Sequence, residues 1–148
     1  MKQKITIMKK TIIILFLVFA ASGAFAQATK QLNFGIIGVS FDIPVASAIA
    51  ISPYAGTDFG LNYLNLGVKA NYYFDDLIGL PAAWDLYAGA GAGFAMWIGN
   101  GTESTSGIDI GLQVGGRWFW NEKWGLYLEF GGGHHTGGTA GLGLTMKL

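Results

Sequence analysis

Apolar side chains occupy every second position of the stretch GIDIGLQVGGRWFW, residues 107–120. The alternation is interrupted only at Gly116, and the positions between include Asp109, Gln113 and Arg117. A period of two residues predicts a β-strand with one apolar and one polar face. The pattern leaves open which of the two faces points into the protein.

The same alternation recurs along the chain, with short polar connections and no long segment of helical period. It slips by one residue at Ile36–Ile37, which we interpret as a β-bulge. Pro53 lies inside a strand and predicts a bulge or a local break in pairing. Seven strands are legible in this way, at 31–41, 47–60, 63–74, 84–97, 107–120, 124–133 and 140–148.

The first 26 residues have the composition of an export signal. Four lysines precede an apolar run from Thr11 to Ala21, and Ala24-Phe25-Ala26 fits the small-x-small rule for cleavage. The apolar run is short for a membrane span. We therefore predict a cleaved signal peptide at 1–26 and a single domain at 27–148.

Removing these residues changes the charge balance. Five basic and nine acidic residues remain, a net charge of −4, which gives a nucleic-acid partner no electrostatic support. The absence of cysteine excludes disulfides and thiolate metal sites. Of the 24 glycines, 23 lie in the predicted mature part, where they are scattered through the strands without a fixed repeat. Collagen-like and low-complexity interpretations therefore fail.

Bulk and charge indicate which face points outward. The apolar faces carry tryptophans, phenylalanines and many leucines, too bulky for the inside of a small barrel, whereas the polar faces are mostly glycine. We predict that the apolar face meets lipid and that the charged residues form an interior polar network. The predicted network consists of Asp58, Lys69, Asp85, Asp109, Arg117, Glu129 and Lys147.

Aromatic residues cluster at strand ends on the apolar face. Such girdles mark the lipid–water interface of membrane-spanning barrels, and lipid accepts only closed barrels or helices. The predicted interface aromatics are Phe59, Tyr72, Phe74, Trp84, Trp118, Trp120 and Trp124.

The chain resembles small outer-membrane β-barrel proteins of the OmpA-transmembrane-domain and OmpX type. The most specific part is the C-terminus, where Gly143, Met146 and Leu148 fit the spaced pattern of the signal that the barrel-insertion machinery reads. The last residue of that signal is usually aromatic, and here it is Leu148. The resemblance implies an all-β, antiparallel, up-and-down transmembrane barrel of eight strands.

The strand count conflicts with this resemblance. Bacterial barrels have an even number of strands, and only seven are legible. The turns at 61–62 and 75–83 both have the aromatic flanks of a periplasmic turn, which would require two strands between them. Either residues 31–60 contain an additional strand, or this chain has lost one.

The sequence predicts location and scaffold more sharply than activity. We expect a non-catalytic outer-membrane barrel with a plugged interior and no cofactor, in contact with lipid, the insertion machinery and an unidentified partner of its loops. His134-His135 is a weak candidate for a metal site, because adjacent strand residues point to opposite faces. The alternatives are a lipid A-modifying enzyme that uses this pair, and a soluble lipocalin-like lipid binder with its large apolar residues inside.

Overall fold

A computed structural model describes residues 28–100 and 106–148; the predicted signal peptide lies outside these residues. The chain forms one closed antiparallel barrel in which each strand pairs with its neighbours in sequence and the first strand pairs with the last. The all-β, eight-stranded, up-and-down fold is therefore confirmed. The strands are β1 (Gln31–Gly35), β2 (Gly38–Ala46), β3 (Ile49–Thr57), β4 (Tyr63–Tyr73), β5 (Trp84–Trp97), β6 (Gly107–Phe119), β7 (Trp124–Gly133) and β8 (Gly137–Lys147).

The eighth strand comes from the segment interpreted as one bulged strand. Residues 31–46 form two strands, and Phe34 pairs with Val39 across a tight turn at Ile36–Ile37. The predicted bulge at this point is wrong: the slip in alternation marks a reversal of chain direction. Of the two explanations for the missing strand, the additional strand within 31–60 is correct.

Pro53 lies on β3 at a break in pairing with β2. The pairs pass from Ser40–Tyr54 to Ile43–Ile51 and omit the two between, whereas pairing of Pro53 with Val68 of β4 is continuous. Proline lacks a backbone N–H and cannot donate to the ladder. The predicted local break is thus confirmed, and the nearby register shift lies at Pro44/Ala46 instead.

The strand directions define two ends of the barrel. The terminal end carries Lys30, Leu148 and the connections at 47–48, 74–83 and 120–123. The distal end carries those at 36–37, 58–62 and 134–136, together with the end of β5 and the start of β6. The turns at 61–62 and 75–83 therefore lie at opposite ends, and assigning both to one end is wrong. The 74–83 connection contains a short 3-10 helix, Asp76–Ile78, closed by Gly79 at φ 69°.

The two faces of each strand meet different surroundings. Along β6, Ile108 and Leu112 are 69% and 72% exposed, whereas Arg117 is 2% exposed. Apolar side chains point away from the barrel and polar ones into it. Among the described residues, no helix is long and apolar enough to cross a membrane.

Glycine on the inner face lets the strands pack closely. A Cβ added at Gly143 would lie 1.9 Å from the carbonyl oxygen of Phe34, and one at Gly89 would lie 2.0 Å from that of Ala70. No larger residue fits at such positions without moving backbone. The glycine content therefore keeps the wall closely packed and leaves space for the few large interior side chains.

Candidate functional site: the barrel interior

The terminal half of the interior is filled by a buried ionic network. Arg117 of β6 forms an ion pair with Asp42 of β2, and both side chains are almost fully buried. The hydroxyl of Tyr73 donates to Asp42 at 2.8 Å and accepts from Arg117. The guanidinium also lies over the Tyr87 ring, 4.4 Å from its centroid. Buried charges need such partners, because an unpaired one is costly.

Asp42 collects four donors on its two carboxylate oxygens. In addition to Arg117 and Tyr73, Ser52 donates at 2.6 Å and Asn33 at 3.3 Å. Asp42 is 0% exposed. These four hydrogen bonds satisfy the acceptor positions of the carboxylate, and its charge is paired with that of Arg117.

Asp85 is also part of this network, beside Arg117. Its carboxylate lies 3.9 Å from Arg117 and accepts a hydrogen bond from Gln31 at 3.1 Å. Thr145 then donates to Asn33 at 2.7 Å, which ties β8 to β1 inside the barrel. These contacts close the lumen at its terminal end.

A second ion pair lies nearer the distal end. Lys69 of β4 and Glu129 of β7 are in direct contact, and their side chains are 18% and 19% exposed. Glu129 also accepts from the Tyr87 hydroxyl at 2.9 Å. Tyr87 therefore lies between the two ionic groups, with its ring under Arg117 and its hydroxyl on Glu129.

Beyond this second pair the interior is hollow. A cavity of about 170 Å³ extends toward the distal end, with Asn33 and Tyr87 among its deepest residues and Tyr54, Lys69 and Tyr127 in its wall. Much of the remaining wall is backbone of inward-facing glycines. The cavity exists because these positions carry no side chain.

Asp109 organises the turn between β7 and β8. Its carboxylate accepts hydrogen bonds from the backbone N–H of His135 and from the Thr136 hydroxyl, at 2.5 and 2.7 Å. His134 is exposed in the same turn, and the two imidazoles lie 6.4 Å apart. Within the described part of the chain, no group of three His, Cys, Asp or Glu side chains could hold a metal ion.

The predicted polar network thus separates into distinct groups. Asp85 and Arg117 belong to the terminal network, Lys69 and Glu129 form the distal pair, and Asp109 holds a turn.

Lys147 and Asp58 lie apart from these groups. Lys147 lies over the Phe119 ring at 3.9 Å, at the terminal rim. Asp58 follows the end of β3, in the 58–62 turn, where it accepts from the backbone N–H groups of Tyr63 and Asn62 at 2.9 and 2.6 Å. These bonds, that from Tyr63 foremost, hold the pKa of the Asp58 carboxyl below its ordinary value of 3.8.

The aromatic residues singled out from the sequence gather at one end. Phe59 alone lies at the distal end, exposed in the 58–62 turn. Trp118 is central to a cluster of three indoles, 6.5 Å from Trp84 and 6.4 Å from Trp120. The terminal-end group comprises Tyr72, Phe74, Trp84, Trp118, Trp120 and Trp124.

The C-terminal residues complete the barrel closure. Gly143 pairs with Gly35, Met146 pairs with both Leu32 and Trp124, and the N–H of Leu148 donates to Lys30 at 2.9 Å. The segment resembling an insertion signal is therefore the strand that seals the barrel.

Sequence reasoning missed Asp42, the acceptor at the centre of the network. The signal was available: in GVSFDIPVA, Ser40 and Asp42 alternate with Val39, Phe41 and Ile43. Reading 31–41 as one strand ended the pattern one residue too early. Ser52 and Tyr73 lie on the polar face of the same alternation, but only pairing of the strands and closure of the barrel bring them to Asp42.

Comparison with known proteins assigns no family, so the class of this protein is the one that its fold defines. No protein-family model matches the chain, and no curated protein is significantly similar to it. The chain is a small, closed, eight-stranded antiparallel β-barrel with an ionic interior.

Proposed function

We propose that this chain is an integral outer-membrane β-barrel protein, exported by the signal peptide at 1–26, with a plugged polar interior and a non-catalytic, structural role in the envelope. Its short distal turns would be the part presented to a partner at the surface. Outer-membrane lipid would surround the barrel, and the barrel-insertion machinery would read Gly143, Met146 and Leu148 during biogenesis.

The observation that carries this proposal is the orientation of the faces. Large apolar side chains are exposed on seven of the eight strands, while the charged network is buried in the lumen. Soluble monomers rarely expose contiguous apolar patches larger than a few hundred Å². A closed barrel with an apolar outer band and a polar interior is the arrangement that lipid requires. A soluble lipocalin-like binder would need the reverse orientation.

The terminal network supports a structural role rather than free passage of solutes. Arg117, Asp42 and Tyr73 occupy the lumen and are at most 2% exposed. The interior of an eight-stranded barrel is filled by side chains or holds one small ligand, and is too narrow for an open channel. A lipid A-modifying activity would need reactive groups, and the carboxylate beside the histidine pair, Asp109, is already bonded to the turn backbone.

Fractionation and gel mobility test the proposal. The full chain is expressed, outer membranes are separated from the periplasm, and the protein is run on a detergent gel with and without boiling. We expect recovery in the outer membrane and a heat-dependent mobility shift, since a folded barrel resists detergent until heated. A soluble periplasmic protein without a shift would contradict the proposal.

A further inference from the structure

At the distal end, the barrel wall is shorter at β1 than at the neighbouring strand β8. β1 has five residues, whereas β8 has eleven. The last bond between the two runs from the N–H of Ile36 to the carbonyl of Leu142, at 3.2 Å. Beyond it, Gly137–Gly141 have no described strand on their β1 side, over about 17 Å at ~3.4 Å per residue.

The wall is also short on the other side of β1, at β2. β2 begins only at Gly38, and the backbone N–H of Thr57 closes the corner by donating to Ile37 at 2.7 Å. The wall is therefore lowered across the width of two strands, about 10 Å. We call this opening the notch; it is bounded by Gly137–Gly141 on one side and by the 36–38 turn on the other.

The interior cavity reaches the notch. Its lining includes Val39 and Ala140, which belong to the outward faces of β2 and β8, together with Lys69 and Glu129 deep inside. Gly38 and Gly141, on the two borders of the notch, line the cavity as well, so the cavity extends to the notch.

The outer surface beside the notch is apolar. Phe130 pairs with Ala140 and is 53% exposed, and Ile36 and Val39 are also exposed. The notch therefore joins an apolar exterior to a polar interior. The backbone N–H and C=O groups of every second strand residue point to the same side. Those of Leu142 point toward β1, where its carbonyl accepts from Ile36. Those of Ala140 and Gly138 therefore point into the notch. Hydrocarbon offers these unpaired backbone groups no hydrogen-bond partner, which favours a polar occupant of the notch.

We infer that the notch is a lateral portal through which the cavity binds the head group of a single-chain membrane amphiphile, leaving the acyl chain outside against Phe130 and Val39. This inference rests on the proposed membrane location. At about 170 Å³ the cavity is smaller than the ~300–1,000 Å³ that encloses a drug-sized ligand, so it holds a head group rather than a whole lipid.

The chemistry of the cavity selects an uncharged head group that carries hydroxyls. Lys69 and Glu129 neutralise each other. The Asp109 carboxylate also lines the cavity, where it is bonded to His135 and Thr136 of the turn and disfavours an anionic head group. What remains are the hydroxyls of Tyr54 and Tyr127, which make no hydrogen bond to another described residue, and the buried Oδ1 of Asn65, which has no partner there either. Such groups donate to and accept from hydroxyls without requiring a counter-charge.

The test uses the full barrel in phospholipid nanodiscs, with 1-monooleoylglycerol as the probe. Saturable NMR shifts of the Tyr54 and Tyr127 rings, with nuclear Overhauser contacts to the glycerol protons, are expected. Gly141→Leu should weaken binding at least about tenfold, because a Cβ at Gly141 meets Tyr127 at an ordinary 3.6 Å and a longer side chain would extend into the cavity. Tyr127→Phe should weaken it without filling space.

Ala90→Leu, on the outer face of β5, is the matched control and should bind as the unaltered chain does. A heat-dependent gel shift and nanodisc insertion are verified first for every variant, so failure of the membrane proposal is seen separately. An inserted barrel with no saturable shift, or with equal binding by the Gly141→Leu variant, would overturn the portal. So would a dimer that protects the Ala140 amide, since a second copy would then occupy the free edge.

Discussion

Arg117 and Asp42, 75 residues apart in the sequence, form an ion pair across the lumen, with Tyr73 bonded to both. β2 and β6 are not neighbours in the sheet. The pair therefore connects parts of the wall that backbone hydrogen bonds do not join. Both side chains are buried in the terminal half of the lumen.

Replacing Asp42 by Ala should destabilise the barrel strongly. Arg117 would remain buried without its main counter-charge, and breaking a buried pair in this way costs about 3–5 kcal/mol. Urea unfolding of the barrel in detergent micelles measures the loss. The triple variant Asp42→Leu/Asp85→Asn/Arg117→Met should recover most of it, since it leaves no buried charge in the terminal network. A loss below about 1 kcal/mol in the single variant would contradict the network's role.

Gly115 and Gly141 both face inward, and alanine should affect them differently. A Cβ at Gly115 would lie 2.4 Å from the buried Tyr87 ring, whereas one at Gly141 makes only ordinary contacts. Gly115→Ala should therefore lower the free energy of unfolding by about 1–3 kcal/mol, as overpacking does. Gly141→Ala should change it by less than about 0.5 kcal/mol. Equal effects in the same urea titration would contradict the packing around Tyr87.

The stability of the 58–62 turn should depend on pH through the ionisation of Asp58. Its pKa is lowered in the folded turn, so the contribution to turn stability is present above the ordinary value of 3.8 and is lost as pH falls through the folded pKa. NMR of the Asn62 and Tyr63 amides should show the turn loosening as the pH falls below 3.8. Asp58→Asn retains an acceptor and should remove the pH dependence; a turn that loosens identically in this variant would contradict the assignment.

Arginine should be tolerated at the distal turn and not on the barrel wall. Leu112, in the middle of the outward row of β6, and Phe59 are 72% and 74% exposed. In a bilayer, Leu112→Arg should cost about 2–4 kcal/mol and Phe59→Arg about 0–1 kcal/mol. Unfolding titrations in phospholipid vesicles measure both. Equal, small costs would mean that Leu112 faces water.

Period-two alternation was sufficient to predict six of the strands and the separation of faces. It failed at Ile36–Ile37, because a two-residue hairpin and a one-residue bulge both shift the phase by one. The pairing register distinguishes the hairpin from the bulge, because Phe34 of β1 pairs with Val39 of β2. The notch could not be predicted, because it depends on how far β8 extends beyond β1 after pairing. The grouping of Asp42 with Arg117 likewise depends on closure of the barrel.

The central claim is that the apolar face meets lipid, and adjacent residues on one strand test it most directly. The chain has no cysteine, so Leu112→Cys and Gln113→Cys each accept a single spin label in the barrel reconstituted into vesicles. We predict that the label at 112 collides with oxygen dissolved in the bilayer and is shielded from a water-soluble nickel complex. The label at 113 should collide little with that oxygen. Free access of the nickel complex to the label at 112 would contradict the account, because the apolar face would then lie in water.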